Sequence, residues 1–394
     1  MDKKSSGSVS AVQRSIMIMR KLKVMTIAGT RPELIRLSEI IKKADIYFDH
    51  IFVHTGQNYD ERLNDIFYDD LGIRKPDYYL GVVGDNLGET MGNIIAKSYS
   101  LMQKVKPDAL LILGDTNSAL SAIAAKRLKV PIFHMEAGNR CFDENLPEET
   151  NRRIVDHISD VNLPYTEHAR RYLIAEGVRK EHIYVTGSPM KEVILAHQKE
   201  IDDSKVLEEL GLESGKFIVL SAHREENIDQ EEHFESLMNA VNGMAETYQM
   251  PVIYSLHPRS AKFVEERNFV FHPLVRQMPP FNFTDYSHLM KHAFCVVSDS
   301  GTMPEETAVS HFPAVCIRTS TERPEALDKG AFVIGGITEE SLLQSVDMAV
   351  KMAELGDFGE LVPDYEVGNV SSTVIRIIQS YTRIIDDKVW RKQG

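Results

Sequence analysis

The chain has 394 residues, of which 43% are apolar and 26% are charged, and its formal net charge is −13. This length accommodates two domains, because single hydrophobic cores rarely grow that large. The acidic balance argues against sequence-independent binding of nucleic acid, although a local basic cleft can still bind a small anion.

The cysteine content and the hydropathy pattern restrict the compartment. Cys141, Cys295 and Cys316 form no CxxC pair, which predicts free thiols in a reducing compartment. No run approaches the roughly 20 apolar residues of a membrane span. We therefore expect a cytoplasmic protein that contacts neither membrane nor nucleic acid. Residues 1–20 contain a serine-rich stretch and are predicted to be a tag, linker or mobile extension.

The first informative segment is Met25–Arg36, which reads MTIAGTRPELIR. An apolar run precedes Gly29, which allows a tight turn, and Pro32 suits the first turn of a helix. The helix start offers free backbone donors beside Arg31 and Arg36, which predicts an anion site. The alternative is an ordinary strand-to-helix turn with surface arginines.

Short apolar runs alternate with helical segments along the whole chain. The predicted strands are Lys23–Ala28, His50–His54, Ala109–Leu113, Pro131–Met135, Asp160–Pro164, His182–Gly187, Phe217–Ala222, Val252–Leu256, Phe269–Pro273, Ala293–Ser298, Ala314–Arg318 and Ala331–Gly335. Such alternation predicts parallel sheets covered by helices on both faces. A polar helical stretch near Lys191–Lys216 divides the strands into two series.

The predicted fold class is therefore α/β, with two Rossmann-like doubly wound domains and an interdomain cleft. The first domain is predicted to cover residues 21–188 and the second residues 189–370. Residues 371–394 are predicted to form a helix, capped at Ser371 or Ser372, that packs back on the first domain. Ligands of such sheets bind beyond the carboxyl ends of the strands, so the cleft is the expected site.

Several common signatures are missing from the sequence. Neither GxGxxG after a strand nor GxxxxGK[ST] occurs, and HExxH and GxSxG are absent as well. The 14 histidines are scattered rather than spaced as metal ligands. We expect no cofactor and no metal, so ordinary side chains must carry any chemistry.

Three carboxylates follow the ends of apolar segments in the first half. Asp115 follows the strand in LLILGDTN, Glu136 follows the strand in PIFHMEAGNR, and Glu148 lies in the helix start of LPEETNRR. Singly, each suits a helix cap or a helix dipole. Together they predict proton abstraction and return, because neighbouring carboxylates raise one another's pKa. A glycosidase-like pair is the competing interpretation.

Basic and hydroxyl groups dominate the corresponding positions of the second half. VLSAHREEN presents His223 and Arg224 after a strand, where they can bind phosphate or assist a leaving group.

VSDSGTMPEE opens a helix with Ser300, Gly301 and Thr302, which predicts a second diphosphate cradle. Glu305 or Glu306 is placed to hold ribose hydroxyls. The alternative for this segment is a capped helix and a solvated loop.

Together these motifs resemble the non-hydrolysing UDP-N-acetylglucosamine 2-epimerase family. The matching segments, in the family's order, are GTRPE at 29–33, GDT at 114–116, HMEAG at 134–138, PEETNR at 147–152, HRE at 223–225, DSG at 299–301 and TERPEA at 321–326. The resemblance implies a GT-B-like fold, a homodimer and a UDP-activated 2-acetamido sugar as substrate. It also implies that the proton at C2 is removed while UDP leaves C1, and that both are returned after reprotonation on the other face.

The resemblance also implies roles for individual residues. The catalytic acids fall on Asp115, Glu136 and Glu148, and the histidine that assists the leaving diphosphate falls on His223. UDP-binding positions of the family fall on Arg31, Ser300, Gly301, Glu306 and Arg323. With the residues added from their place in the motifs, the predicted substrate-binding set is Arg31, Arg36, Arg140, Arg224, Ser300, Gly301, Thr302, Glu306 and Arg323.

The chain departs from the family's pattern at several places. Arg36 replaces the usual lysine, SGTMPEE replaces SGGIQEE, and the loop Asn139–Leu146 is short. HTGQNYD keeps Gln57 but lacks a basic residue two places later, so activation at the family's allosteric UDP-GlcNAc site is not expected. These departures look closest to the subgroup that forms UDP-N-acetyl-L-fucosamine for capsule and O-antigen, with Phe142 as a candidate wall for the 6-deoxy carbon.

Other functions remain open at this point. The alternatives are epimerisation of UDP-GlcNAc and UDP-ManNAc, a glycosyltransferase of the same fold, a hydrolase that releases UDP, and a non-catalytic sensor of nucleotide sugars.

Overall fold

The chain folds into two parallel-sheet α/β domains of Rossmann-like topology. A computed structural model describes residues 20–56, 68–144 and 146–392. The predicted extension before residue 20 and Gln57 therefore lie outside the described residues. The strands are β1 Lys23–Ala28, β2 Asp49–His54, β3 Tyr78–Tyr79, β4 Ala109–Leu113, β5 Ile132–Met135, β6 Val161–Leu163, β7 Ile218–Ser221, β8 Val252–Ser255, β9 Val275–Met278, β10 Cys295–Ser298, β11 Ala314–Cys316 and β12 Val333–Ile334.

Within the described residues, both sheets have six strands and the same topology. The first has the order β3-β2-β1-β4-β5-β6, and the second has the order β12-β11-β10-β7-β8-β9. Every strand pair is parallel, and β4 is buried along its whole length as ALLIL. The strand order reverses between β1 and β4 and again between β7 and β10. A crevice opens at such a reversal, beyond the carboxyl ends of the strands.

Helices flank both sheets. They are α1 Arg31–Tyr47, α2 Leu87–Val105, α3 Ser121–Arg127, α4 Pro147–Ile158, α5 Glu167–Ala175, α6 Met190–Ala196, α7 Gln198–Asp203, α8 Val206–Leu210, α9 Glu225–Ile228, α10 Glu231–Tyr248, α11 Pro258–Glu266, α12 Phe283–His292, α13 Met303–Ser310, α14 Pro324–Asp328, α15 Glu339–Glu354 and α16 Val370–Ile385. Within the described ranges, none of them combines the length and apolarity needed to cross a bilayer.

Two predicted strands are wrong. Residues 182–187 form no strand, and Ile183 makes only an isolated bridge to Asn162. Residues 269–273 precede the true edge strand β9, whose Arg276 and Gln277 are exposed. The apolar side chains of the predicted segment pack instead in an aromatic group, in which the ring centroids of Phe269 and Phe271 are 5.0 Å apart.

The last long helix packs against the first domain. Val374 and Ile378 of α16 are fully buried in one core with residues of α1 and of the first sheet. Lys43 of α1 donates to Ser372 Oγ at 2.6 Å. The helix begins at Val370 after Asn369, so the predicted caps Ser371 and Ser372 lie inside its first turn. The chain thus returns to its first domain after completing the second.

Candidate active site

The carboxylates predicted at the strand ends of the first domain approach one another. Glu136 follows β5 with a left-handed backbone, φ +62°, which is uncommon for a residue with a side chain. A Cβ on Gly114, the residue before Asp115, would lie 3.0 Å from Glu136 Oε2. The glycine therefore lets the Glu136 carboxylate approach the loop that carries Asp115.

Asp115 and Glu148 differ in their electrostatic surroundings. Arg152 donates to Asp115 Oδ2 from Nε at 2.9 Å and from Nη2 at 2.5 Å. Glu148 lies in the first turn of α4, where burial and then the Asp115 charge raise its pKa. One carboxylate is thus paired with a cation while its neighbour holds a proton more readily, which is how acid and base roles are separated.

In the second domain, Asp299 organises the turn after β7. Its Oδ2 accepts the backbone N–H groups of His223 and Arg224, each at 2.9 Å. Its Oδ1 lies 3.2 Å from His223 Nδ1, and the His223 side chain is 37% exposed. The buried carboxylate therefore fixes the backbone of the predicted leaving-group histidine and lies beside its ring.

The turn Ser300–Thr302 opens α13, as predicted. Ser300 Oγ lies 2.9 Å from Thr302 Oγ1. A Cβ on Gly301 would lie 2.5 Å from Glu322 Oε1 and 3.3 Å from Arg224 Nη2, so a larger residue there would displace the Glu322 carboxylate. Burial alone would raise the pKa of Glu322, but Arg318, Arg224 and Arg323 hold it well below its usual range.

Four buried charges join the two domains. Arg36 Nη1 donates to Glu136 Oε2 at 2.5 Å, and Arg36 Nη2 lies 3.5 Å from Glu305 Oε1. Arg323 donates to Glu136 Oε1 from Nη2 and to Glu305 Oε1 from Nε, the latter at 2.7 Å. Each domain therefore contributes one arginine and one glutamate to this buried cluster. Arginines and glutamates alternate around it, so each charge lies next to charges of the opposite sign.

Arg31 and Glu306 approach each other across the same cleft. Burial lowers the pKa of Arg31 to about 10, against the charges of Tyr286, Asp70 and Glu306. Burial and the neighbouring Glu305 raise the pKa of Glu306 to about 7. Both predicted substrate-binding residues thus lie in a desolvated part of the cleft, where charge interactions are strong.

Arg140 forms its ion pairs within the first domain. Its guanidinium is fully buried and donates to Asp156 Oδ2 at 2.8 Å and, through Nε, to Glu176 Oε1 at 2.8 Å. Asp156 also accepts the backbone N–H of Gly138. These partners are residues of α4, the end of α5 and the turn after β5, so the side chain stabilises the first domain and does not meet the residues of the second.

Sequence reasoning missed several residues that organise the site. Arg152, Asp299 and Glu322 all stand inside quoted motifs, and each carries a charge beside a predicted functional residue. Their partners come from other strands and helices, so spacing along the chain could not identify the pairs. Within the described ranges, no group of three or more histidine, cysteine or acidic side chains is arranged to hold a metal ion. Cys141, Cys295 and Cys316 are free, as predicted.

Comparison with known proteins decides the family. Residues 41–379 match the family model described as UDP-N-acetylglucosamine 2-epimerase. The chain belongs to this epimerase family. The two solved epimerase structures described below share its two-domain fold.

Two solved epimerase structures and one curated epimerase illustrate the likeness. A structure named UDP-N-acetylglucosamine 2-epimerase from Rickettsia bellii is 45% identical, covers 95% of this chain and 100% of that one, and has a TM-score of 0.88. The Methanocaldococcus jannaschii UDP-GlcNAc 2-epimerase in complex with UDP-GlcNAc and UDP is 29% identical, covers 91% and 99%, and has a TM-score of 0.83. The UDP-2,3-diacetamido-2,3-dideoxy-D-glucuronate 2-epimerase of Pseudomonas aeruginosa is 32% identical over 90% of this chain and 98% of the relative.

Proposed function

We propose that this protein is a cofactor-independent 2-epimerase of a UDP-2-acetamido sugar and that it acts in its interdomain cleft. The observation that carries the proposal is the direct bond of Arg323, from the second domain, to Glu136 of the first. It brings a residue predicted to hold the diphosphate next to a residue predicted to act on the sugar. Family membership and the UDP-GlcNAc complex of the Methanocaldococcus jannaschii relative support the same assignment.

The proposed reaction needs a base and an acid at C2 and stabilisation of the leaving diphosphate. A carboxylate, Asp115 or Glu136, takes the C2 proton, the C–H electrons form the C1–C2 double bond, and the C1–O electrons leave with UDP. His223 and Arg224 offset the charge that develops on the diphosphate oxygen. Reprotonation of C2 on the other face and return of UDP to C1 complete the epimerisation. The raised pKa of Glu148 suits it to the proton-donating step.

For the sugar, we propose conversion of UDP-2-acetamido-2,6-dideoxy-L-talose to UDP-N-acetyl-L-fucosamine for capsule or O-antigen. The two segments that resemble this subgroup, residues 134–149 and 162–173, meet through an edge-to-face contact of Phe142 with Tyr172 at 5.3 Å. Phe142 is 63% exposed and therefore is no core residue. An exposed aromatic pair of this kind offers an apolar wall to a 6-deoxy carbon.

Epimerisation of UDP-GlcNAc and UDP-ManNAc is the second candidate. It is favoured by the printed name of the Rickettsia bellii structure, which is 45% identical to this chain. The Pseudomonas aeruginosa relative, which is 32% identical, acts by its name on a UDP-activated sugar acid instead. Sequence identity at this level therefore does not distinguish between substrates that differ in the substituent at C6.

The test incubates the purified protein with each UDP-sugar in deuterated water and follows the sugar by proton NMR. Deuterium at C2 of intact UDP-sugar, fastest with the L-talo substrate, is the expected result. Faster exchange with UDP-GlcNAc would select the second candidate. Release of free sugar and UDP would indicate a hydrolase, and absence of exchange with either sugar would leave the transferase or sensor.

A further inference from the structure

One buried carboxyl beside the cleft has no part in the reaction proposed above. Glu33, in the first turn of α1, is 2% exposed. Its Oε2 accepts the backbone N–H of Gly29 at 3.0 Å and both the N–H and the hydroxyl of Thr30, at 2.7 and 2.8 Å. This single oxygen therefore closes the turn that leads into Arg31.

The same carboxyl faces the loop after β4, which carries Asp115. Ser118 Oγ lies 3.5 Å from Glu33 Oε2, and the hydroxyl of Thr116, the residue after Asp115, also interacts with the carboxyl. Within the described residues, Glu33 Oε1 and Thr116 Oγ1 are both buried without another hydrogen-bond partner. Two buried polar atoms of this kind are costly unless they satisfy each other.

Burial favours the protonated form of this carboxyl. It raises the pKa of Glu33 to about 7, although the donors at Gly29, Thr30 and Thr116 act against the shift. A protonated Oε1 can donate to Thr116 Oγ1 while Oε2 keeps its three short contacts. Titratable groups on the neighbouring elements include Arg31 and Arg36 on its own helix, Asp115 on the facing loop and His54 at the end of β2.

We propose that Glu33 is a positioning residue that joins the turn of Arg31 to the loop of Asp115, and so sets the anion-binding group relative to the acidic one. The proposal rests on the proposed function. It assigns Glu33 no contact with substrate. We call this link, from the turn of Arg31 through Glu33 to the loop of Asp115, the clamp. Both of its ends carry site residues, so its loss displaces both, and small displacements at a reacting centre lower the rate strongly.

The test compares Glu33→Gln with Glu33→Met. The amide keeps an acceptor for the turn and a donor for Thr116, whereas the thioether keeps neither. We expect Glu33→Met to lower kcat by about 10- to 100-fold and to weaken UDP binding as well, measured per folded molecule. Glu33→Gln is expected to stay within about twofold of the wild type at pH values where the carboxyl is protonated.

A pH series separates positioning from a merely structural role. Since the amide cannot ionise, the ratio of kcat for Glu33→Gln to kcat for the wild type should rise as the pH passes about 7. Glu39→Gln, on the same helix and paired with Lys42, is the matched control and should give a flat ratio. A flat ratio for Glu33→Gln, or a Glu33→Met variant with normal kcat and UDP affinity, would overturn the proposal.

Two further measurements keep the outcomes distinct. Thr116→Val removes only the facing hydroxyl, so if Glu33→Met does not fold, a lowered kcat in Thr116→Val supports the clamp and an unchanged kcat contradicts it. If the wild type exchanges no deuterium with any UDP-sugar, the proposed function fails. Calorimetry of UDP binding to the wild type, Glu33→Gln and Thr116→Val then still tests the clamp, with weaker binding expected for Thr116→Val alone.

Discussion

At the scale of single residues, Glu136 shows how the domains share one site. Its two oxygens are bonded to arginines that stand 100 and 187 residues away in the sequence. Its position after β5 could be predicted, because parallel strands deliver the residues that follow them to one edge. Its partners could not, because spacing along the chain carries no information about contacts between domains. Arg140 illustrates the converse, since a motif neighbour of Glu136 pairs inside the first domain.

Arg36 shows what the departure from the family's usual lysine provides. Its two terminal nitrogens reach Glu136 in one domain and Glu305 in the other. A lysine has a single nitrogen at the end of its chain and lacks this planar fork. The substitution therefore adds a contact to Glu305 of the second domain without changing the charge.

Glu136→Gln is predicted to abolish exchange while UDP binding persists. The amide has nearly the same shape but no negative charge and no basicity, so exchange at C2 should fall by about 100- to 10,000-fold. The measurement is deuterium incorporation by NMR, together with calorimetry of UDP binding. Glu144→Gln serves as the control, because its side chain on the following loop is 72% exposed. Exchange at the normal rate in Glu136→Gln would show that this carboxylate has no role in the proton transfer.

At the scale of elements, prediction succeeded where the strand is central and apolar. β4 and β10 are buried on both faces, and their apolar runs identify them. β9 is an edge strand with two exposed polar residues. The two-residue β3 was not predicted, because it lacks the apolar run by which the other strands were identified. An apolar run therefore indicates that a segment is buried and not that it pairs as a strand. For this reason the strand predictions fail at the edges of the sheets.

Removal of the Ile378 side chain is predicted to destabilise the first domain. Ile378 is fully buried between α16 and α1, so Ile378→Ala should lower the free energy of unfolding by about 2–5 kcal/mol. Urea unfolding measures the change, and Gln379→Ala on the exposed side of the same helix is the control. An equal effect of the two substitutions would mean that α16 contributes little to this core.

At the scale of the whole molecule, alternation of strands and helices was enough to predict two doubly wound domains. The polar stretch between the two series corresponds to α6, α7 and α8, which connect the sheets. The boundaries at residues 188 and 370 and the homodimer stay predictions. The contact between the two domains depends on ion pairs between buried residues of both domains. Such pairs could not be predicted, because no local sequence pattern records which distant residues meet.

The buried carboxyls also predict how stability changes with pH. Glu33 and Glu306 each have a pKa of about 7 in the folded chain, raised from 4.5 by burial. The folded state therefore binds protons more tightly than the unfolded state. Their contribution is complete below about pH 4.5 and is lost as the pH rises through about 7.

Glu306→Gln isolates one of these contributions. The amide cannot ionise, so the variant should gain stability relative to the wild type as the pH rises through about 7, by up to about 3 kcal/mol. Urea unfolding at a series of pH values measures this difference, and Glu340→Gln, an exposed residue of α15, should show no such trend. If the difference between the variant and the wild type instead stays constant as the pH rises from about 4.5 to about 7, Glu306 is ionised throughout this range, and its charge is held by Arg31 and Arg36.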